Sequence, residues 1–425
     1  MKEKKISILL FFFLIIFKSH AAYLLIPMDN LQNNHLKAYG IAFLSLQKNI
    51  EVDWLLNYRG GSFGLKQVVA IEKECKIRGI SYEILADVQY NKIISEISHP
   101  EVNQEVMKLE KAPKVAIYSP KNKQPWDDAV TLVMTYAEIP YEVVYDEEII
   151  NGDLSKYDWL HLHHEDFTGQ YGKFWSSYKN APWFQEYVRF NENIAGKLGF
   201  DKVSNLKLAV ANNIKQFVAN GGFMFAMCAA TDSYDIALAA SNTDICKNMF
   251  DGDASDPEMQ NKLNFMNGFA FKNYELVTNP HEYEFSTIDA TKEHSNLVRA
   301  KGIKSDIFTL FDFSAKWDPI PTMLCQNHES IINGFMGQTT AFKKGNLRSD
   351  VLILGETKIL NSARYIHGKF GKGTWTFYGG HDPEDHTHRV SDPATDLNLY
   401  PNSPGYRLIL NNVLFPAAKK KKRKT

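Results

Sequence analysis

The stretch Gly221–Asp232 constrains the fold of this chain more than any other. Its first half is an apolar run of the kind that forms a buried strand, and the small residues after Cys228 are typical of a helix. A strand that passes at once into a helix holds the intervening side chain at the carboxyl end of a sheet, beside the first N–H groups of the helix. Such a position lowers the pKa of a thiol and favours developing negative charge. The sequence therefore predicts an α/β protein in which Cys228 is a candidate nucleophile.

Strand-like and helix-like blocks alternate along most of the chain, which favours parallel sheets covered by helices. Residues 22–111 are predicted to form a smaller N-terminal α/β domain. A second alternation begins at Lys114, and its order predicts a flavodoxin-like doubly wound parallel sheet within residues 112–416. Residues 243–344 interrupt the rhythm with aromatic and loop-rich sequence, and they are predicted to be an insertion that caps the site. Two strands within residues 363–378 are predicted to form a hairpin.

The composition sets the class of protein. With 425 residues, 44% of them hydrophobic, the chain is long enough for a large core and more than one folding unit. Its formal net charge of −1 gives no general reason to expect a nucleic-acid partner, and a small molecule is the predicted ligand. The C-terminal segment 417–425 contains the basic block Lys419–Lys424. Such a run is usually a solvated tail, and contact with anionic lipid or RNA is the alternative.

The N-terminus has the features of a cleavable secretory signal. Lysines in the first five residues precede the apolar run Ile6–Phe17, which is too short to span a bilayer comfortably, and the small residue Ala21 follows. Residues 1–21 are therefore a predicted signal peptide, and the mature protein is predicted to be periplasmic or secreted. A retained membrane anchor is the alternative. No second long apolar segment follows, so no membrane span is predicted after cleavage.

Four cysteines are present: Cys75, Cys228, Cys246 and Cys325. An even number in an oxidising compartment permits disulfides, but four in so long a chain do not make a disulfide framework. If Cys228 is a working thiol, one of the other three is left unpaired or reduced.

A second apolar strand, Thr374–Tyr378, leads into a polar turn that could bring a base to the same edge of the sheet. A nucleophilic thiol needs a base, and His381 is the candidate, oriented by Glu384 or Asp382. The predicted catalytic residues are Cys228, His381 and Glu384. The predicted substrate-binding residues are His163, His164, Glu165, Asp232 and Asp382.

Two clusters of imidazoles and carboxylates allow a different kind of site, because such ligands suit zinc or another divalent ion. One cluster follows a strand at residues 161–166, and the other lies at residues 381–388. The ligands in this interpretation are His163, His164 and His381, although strand alternation places His163 and His164 on opposite faces. A hydrogen-bonded structural cluster or a sugar-binding rim is the alternative.

Two further segments have open interpretations. The acids of Asp251–Glu258 have calcium-like spacing without the full EF-hand pattern, which makes them a candidate cation loop. The aromatic residues between Phe167 and Trp183 either stack on sugar faces or pack as the edge of a lid.

The order of these motifs resembles that of class I glutamine amidotransferases, in which a cysteine follows an earlier strand and a histidine with an acid follows a later one. This chain has the run His381–Glu384, with an inserted aspartate, where those enzymes favour His-Pro-Glu. The chain is more similar to the ThuA-like (trehalose-utilisation) branch of that superfamily, over roughly Lys114–Arg389. The segments that carry this resemblance are 157–164, 221–232, 281–285 and 371–384. Members of that branch commonly have histidine at the position of Cys228.

Over its whole length the chain resembles a group of bacterial envelope proteins labelled asparagine synthetase B. The segments concerned are His35–Gly40, Asn57–Phe63 and Trp317–Cys325. No Ser-Gly-Gly-x-Asp-Ser run is present to hold ATP pyrophosphate, so ATP-dependent synthetase chemistry is not expected. The resemblances imply a hydrolase or transferase with a Cys-His-Glu site for a small amide or sugar-derived substrate. The alternatives are a metal-assisted carbohydrate enzyme or binder, and a non-catalytic envelope interaction protein.

Overall fold

The computed structural model describes residues 23–121, 125–318, 320–386 and 389–419 of the chain. These residues form a mixed α/β fold built on one sheet of five strands and another of ten. The predicted signal peptide, most of the predicted basic tail and His388 lie outside the described residues. Within the described part, every helix is too short or too polar to cross a membrane.

The first sheet is antiparallel throughout. Its strands are β1 (Tyr23–Ile26), β2 (Val52–Leu56), β3 (Ser62–Lys66), β4 (Glu83–Leu85) and β5 (Glu105–Leu109). Their order is β4-β1-β3-β2-β5, and each neighbouring pair is antiparallel. The parallel sheet predicted for this block is therefore wrong. Only residues 57–61 separate β2 from β3, whereas parallel neighbours need a crossover of a dozen or more residues.

The second sheet is mixed. Its strands are β6 (Val115–Tyr118), β7 (Glu142–Val144), β8 (Trp159–Leu162), β9 (Phe223–Met227), β10 (Ile307–Leu310), β11 (Ile331–Asn333), β12 (Phe342–Lys343), β13 (Leu352–Thr357), β14 (Ser362–Phe370) and β15 (Gly373–Tyr378). The neighbours β7-β6-β8-β9-β15 are parallel. Beyond β15 the order continues β14-β13-β10-β11 with antiparallel pairing, and β12 pairs with β14. The predicted parallel strands and the β14–β15 hairpin are thus present, inside a sheet that is not parallel throughout.

Helices cover both sheets. Their bounds are α1 (His35–Gln47), α2 (Val69–Arg78), α3 (Asp87–Ser98), α4 (Ala129–Ala137), α5 (Asp146–Ile150), α6 (Trp175–Tyr178), α7 (Pro182–Lys197), α8 (Val203–Ala219), α9 (Ala229–Ala239), α10 (Asn248–Asp251), α11 (Met259–Lys262), α12 (Thr291–Lys301) and α13 (Pro404–Leu414). α1 packs against α4 and α13, which links the N-terminal block to the rest. Buried apolar residues of both sheets belong to one continuous cluster. The predicted boundary near residue 111 therefore separates two sheets that share a core.

The predicted insertion 243–344 is only partly a cap. Its strands β10 and β11 extend the second sheet. Its segment Met336–Gln338 lines the cavity that contains Cys228. The interruption of the sequence rhythm therefore marks a change of strand direction as well as added loops.

Candidate functional site

The turn between β9 and α9 is strained at Cys228. The strand ends at Met227 and the helix begins at Ala229, as the sequence predicts. Cys228 has φ 52° and ψ −139°, a conformation that non-glycine residues rarely adopt and that costs roughly 1–3 kcal/mol. Sharp strand-to-helix turns of this kind hold a nucleophile above a sheet.

The two remote strand-end segments meet at one cavity of about 250 Å³. Cys228 and His164 line it together with His381, which follows β15. The remaining lining residues are Trp126, Phe174, Ala229, Tyr283, Met336, Gly337, Gln338, His386 and Val390. The structure therefore brings together the predicted nucleophile and the predicted base. Apolar and aromatic walls around a few polar groups are typical of small-molecule sites.

Three imidazole rings lie close together beside this cavity. The rings of His163 and His164 are stacked, with centroids 3.9 Å apart, and the ring of His381 lies 4.8 Å from the first and 4.5 Å from the second. One potential ligand atom from each of His163, His164 and Cys228 lies within 4.8 Å of the other two. These three side chains are therefore close enough together to bind one metal ion. The expectation that His163 and His164 lie on opposite faces is wrong, because β8 ends at Leu162 and strand alternation stops there.

Asp127 and Asp128 orient the histidines. His164 Nε2 donates to the Asp127 carbonyl oxygen at 2.7 Å, so in the neutral ring the lone pair is on Nδ1. Asp128 Oδ2 lies 3.2 Å from His161 Nε2 and 3.0 Å from His163 Nδ1. Burial raises the pKa of Asp128, but the two histidines outweigh it and hold that pKa well below its ordinary value.

Neither aspartate is marked as a site residue by the sequence patterns. Helix α4 begins at Ala129 because Asp128 is its N-cap. Asp128 Oδ1 accepts the N–H groups of Val130 and Thr131 at 2.8 Å. An acid just before an apolar run indicates a helix N-cap. The contact of the second oxygen, Asp128 Oδ2, with the histidines depends on the tertiary fold.

The environment of the Cys228 thiol differs from the prediction. Burial raises its pKa to about 12, and the opposing effect of the backbone N–H groups of Ala229 and Gln338 is smaller. The carboxyls of Asp232 and Asp289 raise that pKa further. The predicted lowering by the helix N-terminus is therefore wrong, because the loss of hydration outweighs two N–H donors. All four cysteines are buried free thiols, so the permitted disulfides are not formed.

Two predicted substrate-binding acids are held in buried hydrogen-bond networks. Asp232 accepts the Thr339 hydroxyl at 2.9 Å and is fully buried in the first turn of α9. Glu165 accepts the Tyr145 hydroxyl at 3.1 Å and lies 3.8 Å from Lys207 Nζ. Burial raises the pKa of Glu165 to about 7. Their partners are protein groups, and the lining of the cavity includes neither of them.

The two acids after His381 have partners of their own. Asp382 accepts the backbone N–H of Glu384 at 3.0 Å and the hydroxyl of Thr395 at 2.8 Å. Burial raises the pKa of Glu384, and the nearby hydroxyl of Ser403, the N-cap residue of α13, opposes this effect. The structure thus places both acids in the framework of the turn that carries His381.

The structure also shows the contacts of the candidate cation loop, Asp251–Glu258, and of the aromatic segment Phe167–Trp183. Lys202 Nζ lies 3.1 Å from a carboxylate oxygen of Asp251 and 2.5 Å from one of Asp253, so an ammonium group pairs with two acids of the predicted cation loop. The aromatic rings pack on one another: Phe174 lies 5.5 Å from Trp126 and 5.8 Å from Trp183. Phe174 also lines the cavity.

Comparison with known proteins adds little. No protein-family model and no curated protein matches the chain. Among solved structures, 72% of the chain is similar to the whole of cytoplasmic protein STM1381 from Salmonella typhimurium LT2, at 9% identity and TM-score 0.36. The same share is similar to the whole of cytoplasmic protein STM3548 from Salmonella typhimurium, at 10% identity and TM-score 0.33. In addition, 64% of the chain is similar to 28% of the chain of Gan42B, a GH42 beta-galactosidase, at 11% identity and TM-score 0.28. Likenesses this low support no conclusion about fold or activity.

Proposed function

We propose that the chain is a hydrolase or transferase that uses the Cys228 thiol as nucleophile on a small amide or sugar-derived substrate. The observation that carries the proposal is the strained turn that presents Cys228 to a cavity also lined by His164 and His381. Strain of this kind persists where function requires it. A volume of about 250 Å³ is below the roughly 300 Å³ at which sites for drug-sized ligands begin, which favours a small substrate.

The histidines supply the proton transfers. At neutral pH the thiol is protonated because burial raises its pKa, so a base must accept the proton as the sulfur attacks. We assign His164 as the first acceptor, since one of its ring nitrogens lies within 4.8 Å of the sulfur and the residue lines the cavity. The imidazolium that forms then returns this proton to the leaving group, and His381, whose ring lies 4.5 Å from that of His164, lines the same cavity.

The sheet supports a flavodoxin-like, class I glutamine amidotransferase-like architecture of the ThuA-like type. Numbered along the chain, the parallel strands have the spatial order 2-1-3-4-5, which is the flavodoxin-like order. Cys228 follows the fourth of them, and His163 and His164 follow the third, next to the switch point where ligands of such sheets bind. The exported location and the absence of a nucleic-acid partner remain part of the proposal.

Replacement of Cys228 by serine tests the thiol. Cys228→Ser should lower turnover on a panel of small amides and esters by a factor on the order of 10³ or more. It should also abolish alkylation of position 228 by iodoacetamide, which is measured by mass spectrometry of the peptide that contains this position. Cys246→Ser is the matched control, because Cys246 is equally buried but donates to the Thr168 carbonyl away from the cavity. Unchanged turnover in Cys228→Ser would remove the assignment.

A second candidate is a zinc-assisted carbohydrate enzyme or binder that uses His163, His164, Cys228 and His381. The observation that favours it is the hydrogen bond from His164 Nε2 to the Asp127 carbonyl, because metal-bound histidines usually donate their other nitrogen to a carbonyl or carboxylate. Zinc would supply a Lewis acid and would bind the thiol as thiolate.

Metal analysis separates the two candidates. After zinc loading and gel filtration, a zinc enzyme should retain one equivalent, and His164→Ala should lose it. The control is His99→Ala, since His99 is exposed at the end of α3. A native protein that retains no metal after loading would contradict this candidate.

A further inference from the structure

The lining of the Cys228 cavity offers no permanent charge to a ligand. Among the described residues that line it, none is a lysine, an arginine, an aspartate or a glutamate. One wall is aromatic: the rings of Trp126 and Phe174 are stacked 5.5 Å apart, and the Tyr283 ring lies 5.7 Å from that of Phe174. A carboxylate bound here would lose its water without gaining a lysine or arginine partner, and such burial is costly. The lining therefore disfavours acidic ligands.

Two buried carboxylates beside the cavity act in the same direction. Asp128 lies 3.0 Å from His163 Nδ1, and its depressed pKa keeps it ionised at neutral pH. Burial raises the pKa of Asp289 to about 6, so this carboxyl is also ionised at neutral pH, and it raises the pKa of the Cys228 thiol in turn. Negative charge on these groups repels a second anion. An acidic group on a substrate is therefore opposed by the lining and by its surroundings.

His386 brings an unused hydrogen-bonding atom to this cavity. Its Nδ1 lies 3.2 Å from the Gly334 carbonyl oxygen. A carbonyl oxygen only accepts, so in the neutral ring Nδ1 carries the proton and Nε2 carries the lone pair. Nε2 is buried and has no hydrogen-bond partner among the described residues, although buried polar atoms rarely remain without one. Because His386 lines the cavity, an N–H of a bound ligand is the partner that fits this acceptor.

We propose that the cavity binds a carboxamide that carries no acidic group, and that His386 Nε2 accepts a hydrogen bond from the amide N–H. The inference rests on the proposed function and deepens it, because it names the substrate class. It excludes free glutamine and free asparagine, whose α-carboxylates would be buried without a lysine or arginine partner. In the sequence, His386 belongs to the histidine-rich cluster at residues 381–388.

Three alkylating probes of similar size test the inference on the full-length protein. Iodoacetamide is uncharged and has amide N–H donors, iodoacetate is anionic, and methyl iodoacetate is uncharged but has no N–H. In each reaction the sulfur of Cys228 bonds to the CH₂ carbon, iodide leaves, and the thiol proton passes to a base. Mass spectrometry of the peptide that contains Cys228 gives the rates. Each rate is divided by that of the same probe with 2-mercaptoethanol, which removes differences in intrinsic reactivity.

We expect native Cys228 to prefer iodoacetamide over iodoacetate by about hundredfold or more in these normalised rates, because the anion is desolvated without a cationic partner. His386→Ala should slow iodoacetamide by about threefold to tenfold, the usual effect of losing one neutral hydrogen bond, and should change methyl iodoacetate by less than about twofold. His386→Gln, whose side-chain oxygen accepts hydrogen bonds, should restore most of the iodoacetamide rate. His281→Ala is the control, because His281 is exposed and is not part of the lining.

Each other outcome overturns a stated part. A preference over iodoacetate of about tenfold or less, which the hydrogen bond alone explains, would overturn the exclusion of acidic substrates while the thiol assignment stands. Equal slowing of iodoacetamide and methyl iodoacetate in His386→Ala, or slowing of neither, would overturn the role of His386. If that variant does not fold, a native normalised rate for iodoacetamide no higher than that for methyl iodoacetate would overturn it. A native Cys228 that reacts with none of the probes would overturn the proposed function itself, and the inference with it.

Discussion

Two buried histidine clusters of the second sheet differ in how their polar groups are used. In the first, His294 Nδ1 donates to Asp306 at 2.8 Å, and its Nε2 lies 2.9 Å from the Ser362 hydroxyl. Arg364 bonds to Asp306 and donates to the Phe335 carbonyl at 2.7 Å. In the second cluster, His164 and His381 line a cavity beside a cysteine with a strained backbone.

The comparison distinguishes residues that stabilise the fold from residues that carry the proposed chemistry. The polar atoms of the His294 cluster mainly contact one another, so that cluster should contribute to folding. The cavity cluster holds a stacked pair of imidazoles, a protonated thiol and a strained turn, which together cost free energy. Residues of the first kind should matter when the protein unfolds, and residues of the second kind when it reacts.

The largest expected effect on stability is at Arg364. Arg364→Met leaves the Asp306 carboxylate buried without its ion-pair partner, which should cost about 3–5 kcal/mol in the free energy of unfolding by urea. Arg348→Met is the control, because the partner Asp350 is 65% exposed, and surface pairs contribute about 1 kcal/mol or less. Equal losses in the two variants would break the distinction between the clusters.

The pH dependence of the free energy of unfolding should also depend on the His294 cluster. Burial opposes ionisation of Asp306, but His294 and Arg364 outweigh it and hold its pKa at about 2. Because the folded-state pKa is depressed, this contribution is complete above the unfolded-state value of about 4 and is lost as the pH falls through about 2. The shift corresponds to about 2 kcal/mol. Urea titrations should show a steeper acid loss in the native protein than in Asp306→Asn, and parallel curves would contradict the assignment.

The smallest effect should be at Cys228. Cys228→Gly removes a buried side chain but relieves roughly 1–3 kcal/mol of backbone strain, so the free energy of unfolding should stay within about 1 kcal/mol of the native value. Cys246 has a negative φ, and Cys246→Gly should lose about 2 kcal/mol with no compensation. Thermal and urea unfolding of both variants give the measurement. A larger loss in Cys228→Gly would show that the turn is not strained.

The sequence predicted the parts of the fold that local patterns encode. The turn at Cys228 and the β14–β15 hairpin are as expected, since apolar runs and glycines mark them directly. The direction of strands β1–β5 was missed, because alternating blocks do not specify whether neighbours run parallel. The short connection at residues 57–61 was the available signal.

The candidate site was harder to predict for three physical reasons. Asp127 acts through its carbonyl, and a backbone group leaves no mark on residue type. Asp128 resembles an ordinary helix cap until the tertiary fold brings His163 to it. The pKa of Cys228 was predicted with the wrong sign because the extent of burial depends on the whole molecule.

The two clusters are mechanically connected through Phe335. Its carbonyl accepts from Arg364, and the carbonyl of the next residue, Met336, accepts the N–H of His381 at 2.9 Å. The Arg364 carbonyl in turn accepts the N–H of Gly379 at 2.7 Å, two residues before His381. Acid or heat that disrupts Asp306 and Arg364 should therefore release both walls of the cavity, so inactivation should precede global melting.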